Sequence, residues 1–335
     1  MPKIITFGEV MARLSPPGKK KLIQTDQLDV IYSGAEANLG VALCHWGMQA
    51  AHVTRFPDNP LGHAATASLR KHGVDTSHIQ FGEGRLGLYF VEHGAGNRAT
   101  QITYDRLPST FQLQTSTCFN WENILEGADW FHWTGITPAI SQSAADSLLE
   151  ALKVAKKKGV KVSGDINYRS GLWQYGKTPG EVLAPLVEYC QVVVAAASDT
   201  TSIFNITAPE GAAGYKELYQ KLKQRFPMLE YLFASQRGSI SASHNTISGL
   251  LCNGSEVIET RTYDVDHIVD RIGSGDAFAA GFVYASLKGE DDAMKIEMAA
   301  AASVLKHTIE GDFIFVTIDE LRSLIAGNTG GRVKR

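Results

Sequence analysis

The chain has 335 residues, a net charge of −3 and 44% hydrophobic residues, enough to bury a sizeable core in one large domain or two ordinary ones. The slight acidity excludes the clustered basic excess of a nucleic-acid-binding protein, and the two short lysine runs, Lys19–Lys21 and Lys156–Lys158, read as solvated faces. The four cysteines (Cys44, Cys118, Cys190 and Cys252) form no Cys-x-x-Cys pair and the ten histidines no His-Glu-x-x-His, which fits free thiols in a reducing compartment and signals neither a disulfide framework nor a zinc site.

In chain order, Ile4–Gly8 reads as a buried strand entered at once, with no basic leader. No apolar stretch reaches membrane-spanning length, so a cytoplasmic protein without membrane contact is expected. Met11–Ser33 is strand-like but interrupted by Pro16, Pro17 and Gly18. Glu36–Trp46 is a predicted helix closed by Gly47, Ala51–Phe56 a strand, and Leu61–His72 a helix closed by Gly73. Arg85–Asp105 reads as a hairpin, with arms Leu86–His93 and Arg98–Tyr104 about the turn GAGN. Short apolar strands follow at Trp130–Thr134, Val160–Asp165, Val192–Ala195 and Tyr231–Ala234. The helix Ser141–Lys158 carries apolar residues at Ala144, Leu148, Leu152 and Ala155. Strands alternating with helices imply βαβ units around a mainly parallel sheet. The hairpin and the Met11–Ser33 segment break that rhythm and are predicted to form a small separate sheet, a natural lid over a ligand site. One domain over residues 1–327 is expected, with lid segments at about 11–33 and 85–106 and a flexible basic tail at 328–335.

The segment VDRIGSGDAFAAG, from Val269 to Gly281, concentrates the chemistry. Gly273 and Gly275 permit unusual backbone angles, and Asp276 opens a predicted helix of small and apolar residues that can pack closely. A Gly-rich turn entering a helix gathers free N–H groups and the positive end of the helix dipole, an anion site suited to a transferring phosphoryl group. A carboxylate beside it can take the proton of an attacking hydroxyl. Taken alone, Gly-x-Gly-Asp reads more readily as an N-cap after a glycine turn.

Other segments weigh against that plainer reading. ITFGEVMARLSP, YSGAEANLGVAL, GDINYR, SISASHNTISGLL, DRIGSGDAFAAGF and KHTIEGDF, in this order and spacing, resemble the ribokinase-like (PfkB) carbohydrate kinases along nearly the whole chain. Within that family the combination is most similar to the 2-keto-3-deoxygluconate kinases. The glycine-aspartate motif is specific for the superfamily, and the subfamily resemblance rests on all the segments together. The resemblance implies a three-layer α/β/α domain with a mainly parallel sheet and a small β-sheet lid. It also implies Asp276 as catalytic base and the backbone of Gly273, Ser274 and Gly275 as anion hole, with ATP and Mg2+ as cofactors.

On the sugar side, the glycine of Gly34 permits close backbone approach, and Asn38 offers a donor and an acceptor to a hydroxyl-rich ligand. The hairpin contributes Tyr89, Tyr104 and Arg106, and Arg169 follows the strand end in DINYR. Two arginines reaching one pocket suit a carboxylate, which a guanidinium binds as a bidentate fork, whereas a neutral hexose needs neither. Singly, each arginine is as readily half of a structural salt bridge. The resemblance places the tyrosines and arginines on a keto-acid and adds Asp312 of EGDF as a further substrate contact.

On the nucleotide side, the resemblance puts Asn167, Ser198, Ser235, Arg237 and Gly238 near the phosphates of ATP, across the carboxyl ends of the later strands, with the helix Glu297–Lys306 near the adenine. Neither a Walker loop nor a protein-kinase glycine loop is present. Related kinases usually carry Asn-x-x-Glu after the strand VVVA to organise magnesium. Here the stretch is Ala196-Ala-Ser-Asp199, so Asp199 stands in for the glutamate, through water, and Ala196 cannot replace the asparagine amide. Three readings stay open at this point: a kinase of 2-keto-3-deoxygluconate acting at the 6-hydroxyl, another sugar kinase such as a fructokinase, and a sugar-binding or sensing protein of weak catalysis. Exposed lid edges predict a homo-oligomer.

Overall fold

Alternation along the first strand, Lys3–Phe7, sets the layers. Ile4 packs into one apolar cluster with Leu39, Phe233 and Phe282, while Ile5 and Phe7 pack into another with Phe131, Leu148 and Leu183. The computed structural model describes residues 1–328 and shows a nine-stranded sheet between those two clusters. The order across the sheet is Val257–Glu259, His244–Cys252, Tyr231–Ser241, Val192–Val194, Lys161–Asp165, Trp130–Thr134, Lys3–Phe7 and Gln49–Val53, with Tyr263–Val265 also pairing His244–Cys252. The strands from Tyr231–Ser241 to Gln49–Val53 run parallel, and the pairings of His244–Cys252 are antiparallel. The helices Gln142–Lys158, Pro179–Val187 and Gly211–Arg225 cover one face; Ala35–His45, Ser274–Leu287 and Asp292–Lys306 cover the other. The three-layer arrangement expected from the sequence is present.

Two elements differ from expectation for local reasons. The strand expected at Tyr231–Ala234 continues to Ser241 and folds back as His244–Cys252; the added residues Gln236–Ile240 are exposed, so no burial pattern announces them. The strand expected at Ala51–Phe56 divides at Thr54, and Arg55–Pro57 leaves the main sheet to pair with Gln80–Gly82.

The lid is a second sheet of four strands, in the order Asp29–Ser33, Met11–Ser15, Leu88–Glu92 and Gln101–Asp105. Both segments that break the βα rhythm supply it. Among the described residues no helix is long and apolar enough to cross a membrane. The expectation of a flexible tail falls, from residue 329 on, outside the described residues.

The helix Ser274–Leu287 lies against Asp292–Lys306 at close range. A Cβ on Gly281 would stand 2.5 Å from the Met298 carbonyl oxygen, so only glycine permits this contact. That packing fixes where the first helix begins, and its beginning is the floor of the site.

Candidate active site

Two contiguous cavities, of about 680 and 600 Å3, open where the parallel strands end and the lid residues Met11 and Tyr104 meet them. Glu9, Gly34, Arg106 and Arg169 line the first; Asn38, Asp165, Asn167, Asp199, Arg237 and the run Gly273–Asp276 line the second, with Gly34, Tyr104 and Arg169 shared. Tyr89, Ser235 and Asp312 also line the second. Of the residues singled out in the sequence, Ser198 and Gly238 line neither. Ser198 is exposed on the first turn of Ala197–Phe204, rotated by about 100° from Asp199, which does face the cleft. Gly238 follows Arg237 in a strand and so points to the opposite face. A Cβ there would meet Thr246 Oγ1 at 2.3 Å, so a larger residue would have to turn the Thr246 side chain on the paired strand.

The helix carrying Asp276 starts earlier than the sequence suggested. Gly273 is its N-cap in the left-handed region, φ 82°, and Ser274 is its first residue, which places Asp276 within the first turn. A Cβ on Gly273 would lie 2.0 Å from the Asp312 carbonyl oxygen, so the loop containing Asp312 presses directly on the back of this turn. Among the described residues no side chain caps the helix, which leaves the N–H groups of Gly275 and Asp276 free for a ligand. A Cβ on Gly275 would meet nothing within 4 Å, so that side of the turn is open.

The Asp276 carboxylate keeps an edge on the cleft but is otherwise enclosed by protein. Burial raises its pKa to about 7, with the charges of Asp312 and Glu36 adding to the rise; the Asn38 hydrogen bond and Arg169 oppose it. A carboxylate with its pKa near neutrality is matched to general-base work. Asn38, which lines the second cavity, donates from Nδ2 to Asp276 Oδ2 at 2.6 Å, while its Oδ1 is buried without a partner among the described residues. Asp165, at the end of a central strand, is pushed up to about 8, first by burial and then by repulsion from Asp276, with a smaller contribution from Asp199. Asp165 lies in GDINYR, and its residue type and spacing alone do not single it out.

At the far end of the first cavity, Arg106 Nε donates to Glu9 Oε2 at 2.5 Å in a buried pair, and Glu9 Oε1 is buried without a partner. Arg106 is therefore partly neutralised, and Glu9 is a wall residue that sequence reading missed. Arg169 is exposed, and its guanidinium bonds only the Tyr168 carbonyl. Arg237 donates to Ser274 Oγ at 3.0 Å, and Arg271 to the carbonyls of Ser241 and Ala242. Among the described residues none of these three arginines is paired with a carboxylate. Desolvation, then the charges of Arg271 and Arg169, lowers the Arg237 pKa. Cations left unpaired around one cleft suit a polyanion such as a triphosphate.

Tyr89 and Asp312 reach the cleft already committed to each other. The Tyr89 hydroxyl donates to Asp312 Oδ2 at 2.5 Å, Ser33 Oγ donates to the same oxygen at 2.7 Å, and Arg13 pairs with Asp312 and, at 2.6 Å, with Asp270. Tyr104, half-exposed, stacks on Tyr89 with ring centroids 6.0 Å apart. Arg13, fully buried on a lid strand, thus ties the lid to the two loops behind Asp276; nothing in the local sequence signals it.

Among the described residues no group of three His, Cys, Asp or Glu side chains is gathered closely enough to hold a metal ion. A divalent cation here would have to take most of its ligands from phosphate and water, which magnesium accepts. Asp165 and Asp199 both line the second cavity, so two carboxylates beside phosphate and water form a donor set that fits such a cation.

Comparison with known proteins gives a consistent result. The sequence model of the family described as pfkB family carbohydrate kinase matches residues 1–313. A 2-dehydro-3-deoxygalactonokinase of Haloferax volcanii is 32% identical over 331 residues, covering 98% of both chains. The crystal structure of 2-dehydro-3-deoxygluconokinase from Thermotoga maritima superposes with a TM-score of 0.93 at 42% identity, over 98% of this chain and 100% of that one. A PfkB family carbohydrate kinase from Listeria grayi gives 0.91 at 31% identity, over 97% and 99%.

Proposed function

The chain belongs to the pfkB family of carbohydrate kinases, and on that footing we propose that it transfers the γ-phosphoryl group of ATP to the 6-hydroxyl of 2-keto-3-deoxygluconate. The observation that carries the reading is Asp276 itself: a carboxyl with its pKa near 7, beside an uncapped helix start, in a cleft with three arginines that pair with no carboxylate among the described residues.

In the proposed step Asp276 accepts the proton of the 6-hydroxyl as that oxygen bonds to the γ-phosphorus. The bond from the γ-phosphorus to the bridging oxygen breaks, and ADP leaves with the bond's electron pair. Asn38 holds the receiving oxygen of Asp276 in place. The N–H groups of Gly275 and Asp276 face the equatorial phosphoryl oxygens, and Ser274 and Gly273 shape the turn that presents them. Arg237 and Arg271 bear on the phosphates, with Ser235 and Asn167 nearby. Mg2+, when bound with the nucleotide, neutralises phosphate charge, and Asp165 and Asp199 would face its waters. Arg169 and the free end of Arg106 fix the sugar carboxylate, which keeps the far hydroxyl at the phosphate; Gly34, Tyr89, Tyr104 and Asp312 complete the sugar wall.

The lid segments near 11–33 and 85–106 close over this cleft as part of a single domain reaching to residue 327. The outer lid strand Asp29–Ser33, with Val30 exposed and lining neither cavity, supports pairing with a second copy, which light scattering would detect as a mass of twice the chain.

One observation favours a second substrate. The 32% identical relative from Haloferax volcanii is named for the galacto form, so the C4 epimer 2-keto-3-deoxygalactonate belongs beside the gluco form in any assay. ADP release over both epimers, fructose, ribose and gluconate tests the reading. Fastest turnover on a neutral sugar would refute it.

A further inference from the structure

The mechanism so far makes no use of a lysine buried behind the phosphate cradle. Lys306 closes the helix Asp292–Lys306 with 0% of its surface exposed. Its ammonium donates to the Ile309 carbonyl at 3.1 Å and to the Asp270 carbonyl at 3.4 Å. These two carbonyls belong to different loops. One runs from Asp270 into Gly273 and the helix start bearing Asp276. The other runs from Ile309 to Asp312, whose carbonyl oxygen presses on Gly273. A single buried ammonium therefore joins the cradle loop to the loop that supports it.

The acidic groups around Lys306 are engaged elsewhere. Asp270 accepts from Arg13, from Gly311 N at 3.2 Å and from Ile272 N at 3.0 Å, while Asp312 is taken by Arg13, Ser33 and Tyr89. No carboxylate contacts the ammonium within 4.0 Å among the described residues; Asp270, Asp312 and Asp276 act on it only at longer range. A buried ammonium without a contact ion pair is strongly disfavoured by desolvation, and a methionine would fill the same volume without that penalty. What lysine offers and methionine does not is directed donation to carbonyls from the C-terminal end of a helix, where the dipole favours a cation and so opposes the lowering of the Lys306 pKa by burial.

We propose that Lys306 is a positioning residue for phosphoryl transfer: by clamping the Asp270 and Ile309 carbonyls it holds the Gly273–Asp276 backbone in the shape that receives the phosphoryl group. It touches neither substrate. The proposal rests on the cradle described above but not on which sugar is used, so it is tested on whichever substrate turns over fastest.

Lys306→Ala is expected to lower kcat by about 10- to 100-fold, the scale of a small misplacement of reacting groups, with sugar Kd by calorimetry changed less than about threefold. Ammonium chloride is expected to restore at least a tenth of the lost activity, while tetramethylammonium chloride at equal ionic strength, which has no N–H to donate to the two carbonyls, restores none. Wild-type kcat, or no difference between the two salts, overturns the proposal. Should the alanine variant melt below assay temperature, Lys306→Gln keeps the volume and one neutral donor. It is expected to show lowered kcat at unchanged sugar Kd, and wild-type kcat in that variant overturns the proposal equally. Asp276→Asn on the same substrate separates the two claims: if it remains active the cradle reading itself fails, and if it is inactive while the Lys306 variants are normal only the role of Lys306 fails.

Discussion

Replacing Asp276 by asparagine should cost activity and add stability, and the two effects have one cause. The substitution keeps volume and leaves an amide oxygen to accept from Asn38, but it removes the charge and the base. Loss of a positioned general base lowers turnover by about 10²- to 10⁴-fold. The stability side follows from the carboxyl pKa, which folding raises from 3.8 to about 7. The folded protein holds that proton more tightly than the unfolded chain, so stability falls as pH climbs through this window. Fully ionised, the group carries a penalty of about 4 kcal/mol, and screening at its open edge reduces this to about 2–4 kcal/mol. Asp276→Asn escapes the penalty and also relieves Asp165 of its largest charge repulsion. Thermal melts at pH 8 should therefore rise by several degrees over wild type, the gain shrinking to about 1–2 kcal/mol at pH 5 and vanishing below pH 4. In the ligand-free enzyme the coupled pair Asp165 and Asp276 should titrate with an apparent pKa near 7, so kcat/KM should rise with pH through that value. Turnover near wild type, or a melting gain that does not change with pH, would refute the reasoning.

Other outcomes are equally open to measurement. Arg169→Ala should raise KM for the sugar acid by about tenfold or more while leaving the melting temperature unchanged, because Arg169 is exposed and unpaired; an unaltered KM would remove it from the carboxylate site. Arg106→Ala is a poorer probe, since it strands the buried Glu9 carboxylate and should destabilise by about 3–5 kcal/mol, read by chemical denaturation. Gly273→Ala and Gly275→Ala should part company: the first forces a Cβ to within 2.0 Å of the Asp312 carbonyl at positive φ and should lower the melting temperature, whereas the second meets nothing within 4 Å and should melt normally yet turn over slowly. His52 and His132, buried and neutral with pKa lowered to about 3, bind protons only on unfolding, so each should withdraw about 2 kcal/mol of stability between pH 7 and pH 5, measurable as a flatter pH–stability curve in His52→Gln.

What could be read from sequence was local. Gly273, Gly275 and Asp276 lie within four residues, and their role follows from what a glycine turn does at a helix start. The lid was legible because Pro16, Pro17 and Gly18 deny a helix to one segment and GAGN turns another back on itself. The outer half of the Tyr231–Ser241 hairpin was not, because its exposed residues carry no apolar alternation. Nor were the pairings that complete the site. Arg13 meets Asp312 across 299 residues and Arg106 meets Glu9 across 97, and no spacing rule links charges so far apart. The same distance effect applies to Asn38, whose residue type suits a sugar hydroxyl and whose amide also meets a carboxylate 238 residues away. Ser198 and Gly238 show the converse: each adjoins a residue that faces the cleft, and the rotation of a helix or the pleat of a strand turns it away.

The central claim is that Asp276 drives phosphoryl transfer from ATP to the terminal hydroxyl of a 2-keto-3-deoxy sugar acid. Phosphorus-31 NMR of the products formed from ATP, Mg2+ and 2-keto-3-deoxygluconate tests it most directly. The account predicts a new phosphomonoester coupled to the C6 protons, growing with ADP in equal amounts and absent with Asp276→Asn. ADP forming without that ester, or the ester forming at the wild-type rate in the variant, would contradict it.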